Sequence, residues 1–329
     1  MKVLHSKGRD TFGASVVDDK GNILSDIRDM YVTEKGGIIP HAAAEHHKKC
    51  KDKVIDDALK EANLELKDID IVAFSQGPGL PPSLVVGMNA AKELAGKIKK
   101  PLIGVSHIVG HLEIGKLLTK AKDPVFVFTS GANTQIIAFE GGKYRVFGEA
   151  LTIGLGNALD KFGREIGLGF PSGPKIEELA KKGKYVELPY TVKGMDVDFS
   201  GIITKCINLY KKGASKEDLC YSLQEIGFAM LTEVAERAMA HCGKKEALLI
   251  GGVAANKRFC EMLDIMCKER NGVFFPVGLK YSGDNASQIC WTGILQYKAD
   301  KKYYDNLNLK DVDIKPRWRI DEVEINWVN

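Results

Sequence analysis

At 329 residues the chain exceeds the length at which one hydrophobic core usually stops growing, so we expect two domains. Its 44% apolar and 27% charged residues are ordinary for a globular protein. The net charge of +4 permits nucleic-acid binding without indicating it. Lysine runs occur at 48–53, 97–100, 181–184 and 298–302, and solvated helix ends explain them more readily than RNA contacts.

The seven cysteines are scattered and form no C-x-x-C pair, so we expect reduced thiols in a cytoplasmic protein. No apolar run approaches the roughly 20 residues that span a bilayer. We therefore expect no membrane association.

The first part of the chain predicts an α/β lobe. Residues 12–29 form two apolar segments around Lys20-Gly21-Asn22, where glycine and asparagine accept the positive φ of a tight hairpin. Helical spacing at 42–63, 83–99 and 107–120 alternates with strand-like runs at 69–75 and 101–105. This alternation indicates parallel strands.

The second part repeats the plan. Residues 125–146 form a second hairpin around Glu140-Gly141-Gly142-Lys143, and a glycine-rich run follows at 154–173. Helices are predicted at 202–212, 216–242, 256–269 and 284–298, with strands at 247–250 and 273–277. The repetition predicts an internal duplication into lobes 1–122 and 123–329. The helix near 284–298 is predicted to contribute to the cleft and to pack across both lobes.

One pair of histidines has metal-ligand spacing. His107 and His111 stand four residues apart on a predicted helix and therefore share a face. Such a pair alone is equally consistent with metal binding and with packed histidines. The residues between them lack the glutamate of the H-E-x-x-H metallopeptidases. Asp284 is the best candidate for a third ligand, and its alternative role is that of helix N-cap.

Glycine-rich turns occur at 130–134, 154–157 and 251–256, and each could present backbone N–H groups to a phosphate. One such turn is weak evidence, because it also connects a strand to a helix. Together they favour a nucleotide cleft between the lobes, although P-loop and Rossmann fingerprints are missing. Asp160 and Glu177 are candidates for contacting ribose hydroxyls, and exposed helix positions are their alternative.

Six motifs in order carry a resemblance to a known family: His107-x-x-x-His111, Ser130-Gly131-Ala132-Asn133-Thr134-Gln135, Gly156-Asn157-Ala158-Leu159-Asp160, Pro171-Ser172-Gly173-Pro174-Lys175, Gly251-Gly252-Val253-Ala254-Ala255-Asn256 and Asp284-Asn285. They resemble the universal tRNA N6-threonylcarbamoyladenosine transferase family, from about residue 33 to 328. Residues 33–38, 74–79 and 321–325 are most similar to its archaeal and eukaryotic branch, the catalytic subunit of the KEOPS complex.

The resemblance implies the duplicated two-lobe α/β fold of actin, hexokinase and the chaperone ATPases. It implies transfer of threonylcarbamoyl from threonylcarbamoyl-adenylate to N6 of the adenosine 3′ to the anticodon, in tRNAs reading codons that begin with A. Implied partners are tRNA, an atypical protein kinase subunit and small accessory subunits. The alternatives are a metallopeptidase, a small-molecule kinase of this fold, and a non-catalytic scaffold that binds metal or ATP.

The resemblance also implies the site residues. One divalent metal, iron with zinc as the alternative, would be held by His107, His111 and Asp284, which are also the catalytic residues. The adenylate, or ATP, would be contacted by Phe128, Thr129, Ser130, Gly131, Ala132, Asp160, Gly173, Glu177 and Asn256.

The chain departs from the family pattern at several positions. Phe128 replaces a tyrosine metal ligand of the archaeal members, and the family's doubled glycines read Gly131-Ala132 and Ser172-Gly173. Leu4-His5-Ser6 stands where the family opens with Gly-Ile-Glu. His46 and His47 are candidates for accepting the N6 proton, and an exposed helix face beside the following lysines is the favoured alternative.

Overall fold

The computed structural model describes residues 2–8, 11–31 and 39–328, with residues 2–8 described by their backbone. The motif at 33–38 lies outside these ranges. Two compact units divide the chain. Unit 1 comprises Met1–Leu117, Gly142–Tyr144 and Asp284–Asn329, and unit 2 comprises Leu118–Gly141 and Arg145–Gly283.

The elements up to residue 120 follow the predicted alternation. The strands are β1 (Lys2–Gly8), β2 (Thr11–Asp18), β3 (Ile23–Met30), β4 (Ile71–Gly77) and β5 (Leu102–Ser106). The helices are α1 (Pro40–Glu61), α2 (Pro81–Ile98) and α3 (His107–Thr119), with a 3-10 turn at Leu66–Asp68.

The next elements are β6 (Val125–Thr129), β7 (Thr134–Glu140), β8 (Lys143–Glu149), α4 (Leu155–Glu165), α5 (Gly173–Ala180), β9 (Val192–Lys193), β10 (Asp196–Val197), α6 (Ser200–Lys211), α7 (Lys216–His241), β11 (Glu246–Ile250), α8 (Lys257–Glu269), β12 (Val273–Pro276) and α9 (Leu279–Ser282). The chain continues through α10 (Ser287–Ala299), α11 (Lys301–Asn306) and 3-10 turns at Leu309–Asp311 and Ile320–Glu322.

The two large sheets share one topology. The first has the order β3-β2-β1-β4-β5 and the second, read from its other edge, β8-β7-β6-β11-β12. In each sheet the first strand of the repeat pairs antiparallel with the second and parallel with the fourth. This equivalence is what an internal duplication predicts, and the predicted α/β fold class is confirmed.

The C-terminal segment differs from the prediction. The sequence assigned all of 123–329 to one lobe, whereas residues 284–329 belong to unit 1. The apolar residues of α10 explain the difference, because they are buried in unit 1 and burial of apolar surface is favourable. The residues in this cluster are Val17, Ile71, Ala73, Ile103, Val105, Ile289, Cys290 and Ile294.

The glycine-rich run at 154–173 contains helix α4 and ends where α5 begins, and neither helix was predicted. Leu155, Ala158, Leu159 and Phe162 are all buried on α4 and recur at helical spacing, so the signal was present among the glycines. In the described part of the chain, no helix is long and apolar enough to cross a bilayer. All seven cysteines are free thiols.

Candidate metal and adenylate sites

The end of β5 places the two histidines of α3. His107 is the first residue of the helix, directly after the last residue of the buried strand. The ring centroids of His107 and His111 lie 4.8 Å apart with an interplanar angle of 90°. Both side chains are buried, and His111 is 1% exposed. Helical spacing therefore brings the pair together as predicted.

Asp284 completes a group of three ligand side chains in unit 1. Its Oδ1 lies 3.1 Å from His111 Nε2 and 3.4 Å from His107 Nε2. The donor atoms of the three residues all lie within 4.8 Å of one another. Two imidazole nitrogens and one carboxylate oxygen are a suitable set for iron or zinc, with coordination positions left for other ligands. The residues present therefore fit a divalent metal ion.

The alternative role for Asp284, that of helix N-cap, is wrong. Helix α10 begins at Ser287, and its N-cap residue is Ala286. The first N–H groups of the helix instead donate to Asp26 of β3, whose Oδ1 lies 3.0 Å from Ala286 N and 3.4 Å from Ser287 N. Because Asp26 serves the helix terminus, the carboxylate of Asp284 is not required there.

Two residues that sequence reasoning missed support the metal group. Gln288 Nε2 lies 3.2 Å from the carbonyl oxygen of His107 and 3.4 Å from His107 Nδ1. Asn285 holds Gln288 in turn: its Oδ1 accepts from Gln288 N at 2.8 Å, and its Nδ2 donates to Gln288 Oε1 at 3.1 Å. Such contacts fix the orientation of a ligating histidine. Their sequence signal is the Asn285-x-x-Gln288 spacing on a helix start.

In unit 2, the predicted adenylate residues begin at the end of β6. Phe128 and Thr129 are both buried there. The carbonyl oxygen of Thr129 accepts from Val253 N at 3.1 Å, which places the turn at 251–256 against the end of this strand. A Cβ on Gly251 would lie 2.2 Å from that oxygen, and Gly251 has a φ of +113°. Glycine is therefore required at Gly251.

The turn after β6 contacts the N-terminus of α4. Gly156 N donates to Ser130 O at 3.3 Å, and Asn157 N donates to Gly131 O at 2.9 Å. A Cβ on Gly156 would lie 2.8 Å from Ser130 O. The glycine therefore allows the helix N-terminus to approach the Ser130-Gly131-Ala132 backbone closely.

Asp160 of α4 faces the N-terminus of α5. Its Oδ1 accepts from Ser172 N at 2.7 Å. Burial raises the pKa of the Asp160 carboxyl above its ordinary value, and the Ser172 N–H and Arg164 lower it by less. Gly173 opens α5, and a Cβ built on it would meet nothing within 4 Å, so open space lies beside this backbone.

Glu177 and Asn256 meet at the N-terminus of α8. Glu177 Oε1 accepts from Lys257 N at 2.9 Å, and Asn256 Oδ1 accepts from Phe259 N at 3.1 Å. Asn256 Nδ2 also donates to Gln224 Oε1 at 2.6 Å, a partner that sequence reasoning missed. Like Asp160, Glu177 is half-buried and hydrogen-bonded, so the exposed-helix alternative does not describe it. The predicted contacts therefore gather around three helix N-termini.

Three features define the class of this protein: the duplicated sheets, the His-His-Asp group and the helix N-termini. It is an α/β protein with the fold of actin, hexokinase and the chaperone ATPases and with an added group of metal ligands. Solved structures agree on the fold. HypF of Thermococcus kodakarensis matches 94% of this chain and 49% of its own with a TM-score of 0.61 and 16% identity. Component A of the Acidaminococcus fermentans (R)-2-hydroxyglutaryl-CoA dehydratase matches 91% of this chain and 99% of its own, with a TM-score of 0.55 and 14% identity.

Residues 22–291 match the family TsaD, tRNA N6-adenosine threonylcarbamoyltransferase, and the chain belongs to this family. The tRNA N6-adenosine threonylcarbamoyltransferase of Thermococcus sibiricus is 51% identical over 320 residues, which are 96% of this chain and 97% of the relative. A probable bifunctional tRNA threonylcarbamoyladenosine biosynthesis protein of Methanobrevibacter smithii is 49% identical and matches 96% of this chain and 58% of its own. The family resemblance is thus confirmed.

Proposed function

We propose that this protein is a tRNA N6-adenosine threonylcarbamoyltransferase that uses threonylcarbamoyl-adenylate as donor and modifies the adenosine 3′ to the anticodon. The observation that carries the proposal is the group formed by His107, His111 and Asp284 in a chain of this family. The bond between the carbamoyl carbon and the phosphate oxygen breaks, and a bond from that carbon to adenosine N6 forms. AMP leaves, and N6 loses one proton.

The residues of unit 1 would hold the metal ion. His107 and His111 are fixed by burial, and Gln288 orients the first of them. Asp284 is the most exposed of the three ligands, with 22% of its side chain accessible. A bound iron or zinc ion would supply Lewis acidity toward an oxygen of the substrate.

The residues of unit 2 would hold the adenylate. The N-termini of α4, α5 and α8 carry the positive ends of helix dipoles, which favour a phosphate. Asp160 and Glu177 would accept hydrogen bonds from the ribose. Since N6 of adenosine is a weak nucleophile, these residues would act mainly by alignment, which contributes roughly 7 to 11 kcal/mol in favourable cases.

The predicted partners belong to this proposal as well. tRNA would meet lysine side chains and add a salt-dependent electrostatic attraction. An atypical protein kinase and small accessory subunits would assemble with this chain, as the KEOPS resemblance implies.

A turnover assay separates this function from the metallopeptidase and scaffold alternatives. Synthetic threonylcarbamoyl-adenylate and tRNA are incubated with the protein, its kinase and its small subunits, and both AMP and modified tRNA are measured. We expect equal amounts of the two products from the wild type and neither from His111→Ala. No modified tRNA from the wild-type assembly, or release of amino acids from peptides, would contradict the proposal.

A further inference from the structure

A second group of metal-ligand side chains lies on α1 in unit 1. His46, His47 and Cys50 present donor atoms that all lie within 4.8 Å of one another. Cys50 follows His46 by four residues and His47 by three, so the thiol sits one helical turn beyond the two imidazoles. None of these residues belongs to the site described above.

The three side chains differ in their exposure to solvent. His47 is 0% exposed and Cys50 is 8% exposed, whereas 30% of the His46 side chain is accessible. The expected exposed helix face is therefore wrong for His47, whose ring contacts Phe12 with centroids 5.8 Å apart. An ion would enter from the side of His46.

A carboxylate on the neighbouring strand orients the exposed histidine. Asp29 of β3 places its Oδ1 2.8 Å from His46 Nε2. A carboxylate hydrogen-bonded to one ring nitrogen fixes the tautomer and leaves the other nitrogen as a ligand. This is the usual outer contact of histidines that bind metals in proteins.

We propose that His46, His47 and Cys50 form a second metal site, which takes a thiophilic divalent cation of the zinc type, with Asp29 as the positioning residue for His46. One thiolate and two imidazoles are ligands of zinc, and water would complete a tetrahedral set. Ligand atoms around tetrahedral zinc lie about 3.3 to 3.8 Å apart. Because the three donor atoms lie within 4.8 Å of one another, they would approach by at most about 1.5 Å on binding.

A purely structural role in the apolar core explains Cys50 less well than a role as a metal ligand. The thiol belongs to an apolar cluster with Val54 and Ile55, where a leucine or alanine would serve equally. The ring of His47 packs against Phe12 of the same cluster, and the two imidazoles add nitrogen donors beside the thiol. Burial, with the Asp29 carboxylate second, raises the pKa of the Cys50 thiol to about 11. Because the thiol is protonated before the metal binds, its proton leaves to solvent as the sulfur–metal bond forms.

The two metal groups differ in chemistry, which makes them separable by spectroscopy. The first offers nitrogen and oxygen, and the second offers nitrogen and sulfur. Co²⁺ replaces Zn²⁺ in such sites, and only a cobalt–thiolate bond gives a sulfur-to-cobalt charge-transfer band. The full-length protein, stripped of metal with a chelator, is titrated with Co²⁺ while this band is recorded.

We expect the band in the wild type and in His111→Ala, which disables only the first site. The band should disappear in Cys50→Ser and persist in the matched thiol control Cys242→Ser. In His46→Asn, the apparent affinity for Co²⁺ should fall at least tenfold. Added Zn²⁺ should displace it. A wild type without the band at saturating Co²⁺, or a band that survives Cys50→Ser, overturns the proposal. If Cys50→Ser does not fold, the substitution of the more exposed His46 tests the proposal. An unchanged affinity of His46→Asn for Co²⁺ would overturn it.

Discussion

The hydroxyl of Ser172 occupies the space that Gly163 leaves open. A Cβ built on Gly163 would lie 2.1 Å from Ser172 Oγ and 2.2 Å from Ser172 Cβ. Ser172 is fully buried, and its hydroxyl donates to the carbonyl oxygen of Gly169. The family resemblance implies a glycine in place of Ser172, and Gly163 accommodates the Ser172 side chain next to the proposed adenylate site.

Gly163→Ala should therefore lower the free energy of unfolding by about 1 to 3 kcal/mol, because the new methyl group overpacks a buried contact. The double variant Gly163→Ala with Ser172→Gly should recover most of the loss. Urea unfolding of the three proteins measures both effects. Gly201→Ala is the matched control, since a Cβ at this exposed helical glycine meets nothing within 4 Å. Equal losses in the single and double variants would show that the two residues are not coupled.

Asp284 and Asp26 should separate metal binding from helix capping. Asp284→Ala should lose the metal during a chelator challenge and keep the thermal stability of the metal-free protein. Asp26→Ala should lower stability by about 0.5 to 2 kcal/mol, because the first N–H groups of α10 lose their acceptor, and should retain the metal. Elemental analysis and thermal unfolding give the two readouts. Full metal occupancy in Asp284→Ala would remove it from the ligand set.

The lysines at the end of α2 offer a test of tRNA binding. Lys97 and Lys99 are exposed there, whereas Lys48 and Lys53 already pair with Glu45 and Asp57 at 2.6 and 2.7 Å. Replacing Lys97 and Lys99 by glutamine should weaken tRNA binding and reduce its salt slope by about 1 to 2. The matched Lys48 and Lys53 double variant should change less.

Titrations of tRNA and of adenylate over a range of salt concentrations check this expectation. tRNA affinity should fall steeply with salt, while adenylate affinity should change little, because glycine turns rather than lysines would bind it. Parallel slopes for the two ligands would show that the lysines do not selectively serve RNA.

Local spacing was sufficient to predict the two glycine-containing hairpin turns and the histidine pair, but it missed strand β1 and the turn that separates β6 from β7. The hairpin turns and the four-residue step from His107 to His111 are properties of short segments, and the structure reproduces them. The start of α10 was misplaced by three residues, since Asp284 resembles a cap in sequence. The true acceptor, Asp26, is distant in sequence, and only tertiary structure brings it to Ala286.

Long-range burial explains the remaining errors. The return of the C-terminal segment to unit 1 depends on apolar partners of α10 near the start of the chain, which no local pattern reveals. His47 looked exposed beside two lysines, yet its ring packs against Phe12 of β2. Helix α4 was missed because glycines lower helix propensity, although Gly156 is needed for contact with the preceding turn.

Asp160 is a residue at which stability and ligand binding should respond in opposite directions. Burial raises the pKa of its carboxyl in the folded protein, so the folded state holds the proton more tightly than the unfolded state. Stability contributed by this group therefore falls as the pH rises from the unfolded-state pKa through the raised folded-state pKa. Asp160→Asn keeps an oxygen acceptor for the Ser172 N–H and removes the charge.

Asp160→Asn should therefore be more stable than the wild type at neutral pH and show a flatter dependence of stability on pH in the acidic range. If the carboxylate binds ribose hydroxyls, the same variant should bind AMP about ten- to a hundredfold more weakly, because a charged hydrogen-bond acceptor is lost. Urea unfolding at acidic and neutral pH and calorimetric titration with AMP measure the two effects. Glu165→Gln, on an exposed position of the same helix, is the control and should change neither. A gain in stability with unchanged AMP affinity would leave Asp160 with a structural role alone, and no gain would show that burial does not disfavour its charge.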